Sequence, residues 1–298
     1  MDTVRVAVPR KGRPLEAVLE RLASQTGTTD LADEIISTLR YEKAVTKGRQ
    51  SVDRSIYDRL ATYSDTGAPD GPEYTLLRDD REGMPRRIVF DSVTVALEDV
   101  AVQLIGREEP FRALRKHEVP LGFDSADLVL EEVVELTPEP LTDLAGVNER
   151  IDPRDTDVRV VSGLGDTVWH TLLATPAVVD ASDCDLTRAL VAQYEGQLCI
   201  SPRYERLVEA VLGTRSLDGV SFTYPDAGRE EEAAVADAGL GVYLTVTGST
   251  ARDHGLELGE QLFPSETVLL ENVAERSDTV QSVTDALVGP DLETELSP

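Results

Sequence analysis

Apolar and polar positions alternate from the start of the chain. Val4-Arg5-Val6-Ala7-Val8-Pro9 is β-branched with period two, which predicts a strand. Arg10-Lys11-Gly12-Arg13 is a basic turn, and Pro14-Leu15 then opens a helix with Leu15, Val18, Leu19 and Leu22 on one face. Residues 28–62 read as helical and charged. Ser64 to Glu73 is a cluster of turn formers, the clearest loop of the first half. Strands are predicted at 87–97, 100–105, 121–123, 169–174, 197–200, 220–224, 240–246 and 267–270. Helices are predicted at 111–117, from Asp124 on, and at 185–194, 204–212, 229–237 and 280–288. Strands alternating with helices predict an α/β fold with mostly parallel sheet. No repeat of 20–50 residues interrupts the pattern.

Charge changes this picture most. The 298 residues carry 29 Lys+Arg against 56 Asp+Glu, a net charge of −27. Such a body repels phosphate backbones and anionic membrane surfaces, so nucleic acid and membrane are excluded as partners. Hydrophobic residues make up 41%, enough for a core, but no apolar run is long enough to span a bilayer. Only four of the basic residues are Lys. Surplus carboxylates with scarce Lys resemble the composition of halophilic proteins, in which salt screens self-repulsion. A merely acidic cytoplasmic protein is the plainer reading. The acidity is uneven, since residues 1–60 carry a net +2 and the remainder −29.

Cys184 and Cys199 cannot form a disulfide framework. His117, His170 and His254 are far apart, without the spacing of a zinc site, so no protein-held metal is expected. The first residues lack a secretory pattern, which leaves the cytoplasm as the expected location. No catalytic triad can be argued, and His170 reads as a satisfied core or edge histidine.

Three segments have the residue types that bind small anions. Thr247-Gly248-Ser249-Thr250 follows a strand and precedes a short helix, with hydroxyls and backbone N–H groups suited to a phosphate, although a plain helix cap has the same look. Arg10, Lys11 and Arg13 flank Gly12 at the carboxyl end of the first strand, the edge where open α/β sheets bind ligands, although a solvated basic turn is as ordinary. Leu121-Gly122-Phe123-Asp124-Ser125-Ala126-Asp127 is a short strand opening a helix.

Together these segments resemble the ATP phosphoribosyltransferase family of histidine biosynthesis. Val4 to Arg13 is similar to the family's opening strand and Pro-x-Lys-Gly-Arg turn. Leu121 to Glu132 resembles its Leu-Gly-Ile-Thr-Gly-x-Asp-x-x-x-Glu block, and Gly196 to Tyr204 the start of its second domain. Leu244 to Leu256 resembles its phosphoribosyl loop, Thr-Gly-x-Thr-x-x-x-x-Gly-Leu, and Pro264 to Asn272 its closing strand. The blocks stand in family order over about half the chain.

The resemblance implies a two-lobed fold of the type II periplasmic-binding-protein kind, with a ligand cleft between lobes. One lobe would be residues 1–175 plus 262–298, expanded near 28–110, and the other 176–261, with crossings near Pro176 and Pro264. The implied reaction is attack of N1 of ATP, or a related base, on phosphoribosyl pyrophosphate, with Mg²⁺ on the departing pyrophosphate. Thr247, Gly248, Ser249 and Thr250 would hold the 5′-phosphate. Arg10, Lys11 and Arg13 would face pyrophosphate or nucleotide phosphates, and Asp124, Ser125 and Tyr243 would border the cleft. Tyr243 stands where the family has an Asp that binds ribose hydroxyls, and Asp124-Ser125 replaces Thr-Gly. The readings left open are therefore a phosphoribosyltransferase, a non-catalytic paralogue that senses small anions or serves as an accessory subunit, and an enzyme acting on another anion. Self-association is left open.

Overall fold

A computed structural model describes residues 2–46, 48–64, 71–78, 86–133, 135, 143–226 and 230–288. Most of the turn cluster read at Ser64 to Glu73 lies outside them. The chain divides into two compact units, each built around its own sheet.

The first unit takes its residues from Met1–Ser125, Pro153–Asp166 and Thr267–Leu292. Its strands are β1 (Asp2–Pro9), β2 (Glu73–Arg78), β3 (Arg86–Leu97), β4 (Val100–Arg107), β5 (Leu121–Ser125), β6 (Val158–Gly163) and, near the end of the chain, β12 (Thr267–Asn272), in the order β2-β3-β4-β1-β5-β12-β6. The alternation read at Val4 to Val8 becomes β1, whose Val6, Ala7 and Val8 are buried. Gly12 takes φ 87° and ends the basic turn, a conformation that costs glycine little. Helix α1 (Arg13–Thr26) follows and buries Leu15, Val18, Leu19 and Leu22. Helix α2 (Thr29–Thr46) adds Ile35, Ile36 and Leu39 to the same core, which continues through Phe90, Leu104, Phe123 and Leu269. Each such fully buried side chain contributes roughly 1.5–3 kcal/mol relative to exposure.

Helix α3 (Ile56–Tyr63) is tied to α2 by charge. Arg59 Nε and Nη2 donate to Glu42 Oε1 and Oε2 at 2.7 and 2.9 Å, and Tyr63 Oη donates to Glu42 Oε1 at 3.0 Å.

The second unit takes its residues from Ala126–Asp152 and Thr167–Glu266. Its strands are β7 (Val168–Ala174), β8 (Gly196–Ile200), β9 (Val220–Thr223), β10 (Gly239–Thr245) and β11 (Glu257–Ser265), ordered β11-β7-β10-β8-β9. The boundaries differ from the crossings expected at Pro176 and Pro264. They fall at Asp166/Thr167 and Glu266/Thr267, because β7 and β11 pair with each other and β7 also pairs with β10. Ala126–Asp152 joins this unit as well.

The α/β expectation holds, and the mostly parallel sheet does not. Among the described residues four of the ten strand pairings are parallel: β1 with β4 and β5, and β8 with β9 and β10. Parallel neighbours need a long crossover, whereas β3 and β4 are joined by a tight turn through Glu98, at φ 52°, which forces an antiparallel pair. Three strands carry no expectation from the pattern, namely β2, β6 and most of β11. Among the described residues no helix is long and apolar enough to cross a membrane.

Candidate functional site

The loop that leaves β10 lies in the second unit and borders a cavity of about 370 Å³. Thr245 comes from the end of β10, Thr247 and Gly248 from the loop, Thr171 from β7, and Leu258 and Gln261 from β11. Hydroxyls and one amide thus face the space, with few apolar groups. Thr171 Oγ1 and Thr245 Oγ1 lie 2.6 Å apart across the paired strands. Thr247 Oγ1 is 3.0 Å from Ser249 Oγ and accepts the Ser249 N–H at 3.4 Å. Arg252 Nη1 donates to the Thr247 carbonyl at 2.9 Å and ties the loop to the turn that follows.

Gly248 has φ 69°, the left-handed region. A Cβ there would come within 2.2 Å of Leu258 Cδ2. The backbone therefore favours glycine at this position, and a Cβ would make the Leu258 side chain shift. Ser249 and Thr250 begin the short helix Ser249–Asp253 and are exposed.

The basic turn is in the first unit, and its cations are matched with carboxylates. Arg10 Nη1 donates to Asp91 Oδ1 at 2.9 Å, with Glu108 at 4.0 Å from Nε. Arg13 Nη1 donates to Asp166 Oδ2 and to the Asp166 carbonyl. Asp166 also accepts the Thr267 N–H and hydroxyl, both at 2.8 Å. The side chains of Arg13 and Asp166 are 32% and 21% exposed, so this pair is within reach of solvent. Lys11 lines a different cavity, between α1, α2 and β3.

A sequence model of halobacterial ATP phosphoribosyltransferase matches residues 1–298, the whole chain. The chain belongs to that family. No protein with a curated description matches it in sequence. Solved structures resemble it at low identity. An ATP phosphoribosyl transferase (HisG:HisZ) complex from Thermotoga maritima is 14% identical, with 95% of this chain and 96% of that chain covered and a TM-score of 0.44. The zinc-bound ligand-binding component of an ABC-type import system from Staphylococcus aureus is 9% identical, with coverage of 96% and 71% and a TM-score of 0.42. A glycine betaine/carnitine/choline ABC transporter is 10% identical, with coverage of 96% and 86% and a TM-score of 0.40.

The three residues expected at the edge of a cleft, Asp124, Ser125 and Tyr243, are each buried. Tyr243 is 4% exposed and sits in a core with Leu173, Cys199, Val235 and Leu256. Its hydroxyl is 4.0 Å from Cys199 Sγ, and burial first, then the thiol, push its ionisation well above the ordinary tyrosine range. Asp124 is buried at 2% exposure and accepts the Phe111 and Ser125 N–H groups at 3.1 and 2.9 Å, while Ser125 is buried beside it. These bonds partner a buried carboxylate at the end of the strand.

Sequence reasoning did not join His170 to Asp127. The imidazole Nε2 lies 2.9 Å from Asp127 Oδ2, stacks on Phe263 at 4.2 Å and meets the Tyr204 ring edge at 4.6 Å. Both residues are buried, as the reading of His170 as a satisfied core histidine requires. Among the described residues no group of three or more His, Cys, Asp or Glu is arranged to hold a metal ion.

Proposed function

We propose that this chain transfers a phosphoribosyl group from phosphoribosyl pyrophosphate to N1 of ATP or a related base. The match to the family over all 298 residues carries the reading. The threonine-lined cavity beside Gly248 supports it, because its donors suit a phosphate monoester in a protein that otherwise repels anions. Thr247, Gly248, Ser249 and Thr250 hold the 5′-phosphate, with Thr171, Thr245 and Gln261 completing the wall. A bond forms from the base nitrogen to ribose C1 as the bond from C1 to the pyrophosphate oxygen breaks, and pyrophosphate leaves with that electron pair. Such a reaction depends on holding the partners in line and on stabilising charge on the leaving group.

Arg10, Lys11 and Arg13 supply the cations for that charge. Arg13 meets the pyrophosphate by exchanging Asp166 for a phosphoryl oxygen. Mg²⁺ carried by the pyrophosphate of the substrate would neutralise part of that charge, alongside Arg10, Lys11 and Arg13.

One observation favours a second reading. Tyr243, which the resemblance places where the family has its ribose-binding Asp, is buried in the core. A paralogue that binds phosphoribosyl pyrophosphate without turning it over would tolerate that change.

Calorimetric titration with phosphoribosyl pyrophosphate and Mg²⁺ in molar KCl, followed by addition of ATP, separates the two. Binding with turnover supports transfer, and binding without turnover supports the sensor or accessory subunit. Absence of binding removes both. Thr247→Val should weaken binding by about tenfold, the worth of one hydrogen bond to a charged group.

A further inference from the structure

The cavity beside Gly248 takes Thr247 from the loop, and Thr171 and Thr245 from paired strands of the second unit. The two strand threonines differ chemically from the loop. Their hydroxyl oxygens lie 2.6 Å apart, and each also reaches the Trp169 carbonyl at 3.3 Å. Two hydroxyls have two protons. One lies in the short bond between the oxygens, and the other goes to the carbonyl. No proton is left for a ligand, whereas both oxygens keep lone pairs. The pair is therefore an acceptor. A phosphate dianion has no proton to offer it, but an alcohol does.

The surroundings of the pair agree with a ligand-facing role. Thr171 is 2% exposed yet lines the cavity. Gln261 stands opposite it on β11 and lines the same space, and the β7–β11 ladder shifts register on both sides of Gln261. Such bulges re-aim side chains and are enriched next to active sites. On its other side Thr171 stands directly opposite Tyr243, and Thr245 follows Tyr243 by two residues, so all three share one face of the sheet. Tyr243 is the residue that the resemblance puts in place of a ribose-binding Asp, and it is packed in a core. The nearest polar groups on its own face are thus two neutral acceptors, which add no charge beside a phosphate.

We propose that Thr171 and Thr245 determine specificity by accepting hydrogen bonds from the 2- and 3-hydroxyls of the phosphoribosyl group. The inference rests on the phosphoribosyl reading above and adds to it the residues that read the sugar.

Calorimetric titration of the full chain in molar KCl tests it, with ribose 5-phosphate, 2-deoxyribose 5-phosphate, inorganic phosphate, and phosphoribosyl pyrophosphate with Mg²⁺ as separate probes. Ribose 5-phosphate should bind about three- to tenfold more tightly than the 2-deoxy sugar, the worth of one neutral hydrogen bond. Thr245→Val should abolish that ratio and weaken ribose 5-phosphate more than inorganic phosphate, while Thr245→Ser keeps the ratio. Thr171→Val should give the same loss through the other partner, and circular dichroism checks the fold of each variant. A pair that served the sheet alone would leave the ratio where it was. Equal affinity for the two sugars in the parent, or a ratio that survives both valine variants, would overturn the inference; the phosphoribosyl reading then stands if phosphoribosyl pyrophosphate still binds. Absence of binding by all four probes would overturn both.

Discussion

The hydroxyl of Tyr243 lies 4.0 Å from the thiol of Cys199, inside the core of the second unit. The residue that the resemblance puts in the place of a ribose-binding Asp is therefore part of a core, directly opposite Thr171 in the β7–β10 pairing. Restoring the family residue with Tyr243→Asp should bury a carboxylate and leave a void, at a loss of at least about 3 kcal/mol in denaturant unfolding. Tyr243→Phe should stay within about 1 kcal/mol of the parent. A stable Tyr243→Asp with tighter phosphoribosyl pyrophosphate binding would contradict this placement.

Gly248→Ala tests the loop. Its φ of 69° costs about 1–2 kcal/mol with a Cβ, and Leu258 must also shift. The expected result is a modest drop in the melting temperature with a larger loss of phosphoribosyl pyrophosphate affinity. Unchanged affinity would mean that the loop conformation has no part in the site.

The beginning of the fold is legible in the sequence because it is local. The alternation of Val4, Val6 and Val8 and the helical spacing of Leu15, Val18 and Leu22 become β1 and α1, flanking the glycine turn. The loop at 247–250 is legible for the same reason. What surrounds it is not. Thr171 reaches Thr245 from 74 residues away through antiparallel pairing, and β11 brings Leu258 and Gln261. Asp166 meets Arg13 across 153 residues. No local pattern encodes those contacts, nor the burial of Tyr243, which depends on packing against Val235 and Leu256.

The bond between Glu42 and Arg59 makes a stability prediction. Both oxygens of a carboxylate 3% exposed are taken by one guanidinium. Glu42→Gln leaves that cation without a counter-charge and should cost about 3–5 kcal/mol. Replacing both residues with apolar ones should cost much less. Equal losses for the single and double variants would assign the effect to packing alone.

Tyr63 and Tyr74 should make the chain sensitive to alkali. Their rings meet edge to face at 5.9 Å, and burial is the first cause that pushes both hydroxyls up from 10.0 to about 12. Below pH 10 both are neutral, folded or unfolded. Between pH 10 and about 12 the unfolded chain ionises them and the native chain does not, so the stability present below pH 10 is lost as pH rises through this window. The Tyr74→Phe variant should lose less stability across it. The same pH dependence in variant and parent would contradict the assignment.

The most direct measurement is pyrophosphate release by the folded chain in molar KCl, with phosphoribosyl pyrophosphate and Mg²⁺ present and ATP added or withheld. Phosphoribosyl transfer predicts release that requires ATP and falls in Thr247→Val. No ATP-dependent release, from protein that binds phosphoribosyl pyrophosphate and is folded by circular dichroism, would contradict it.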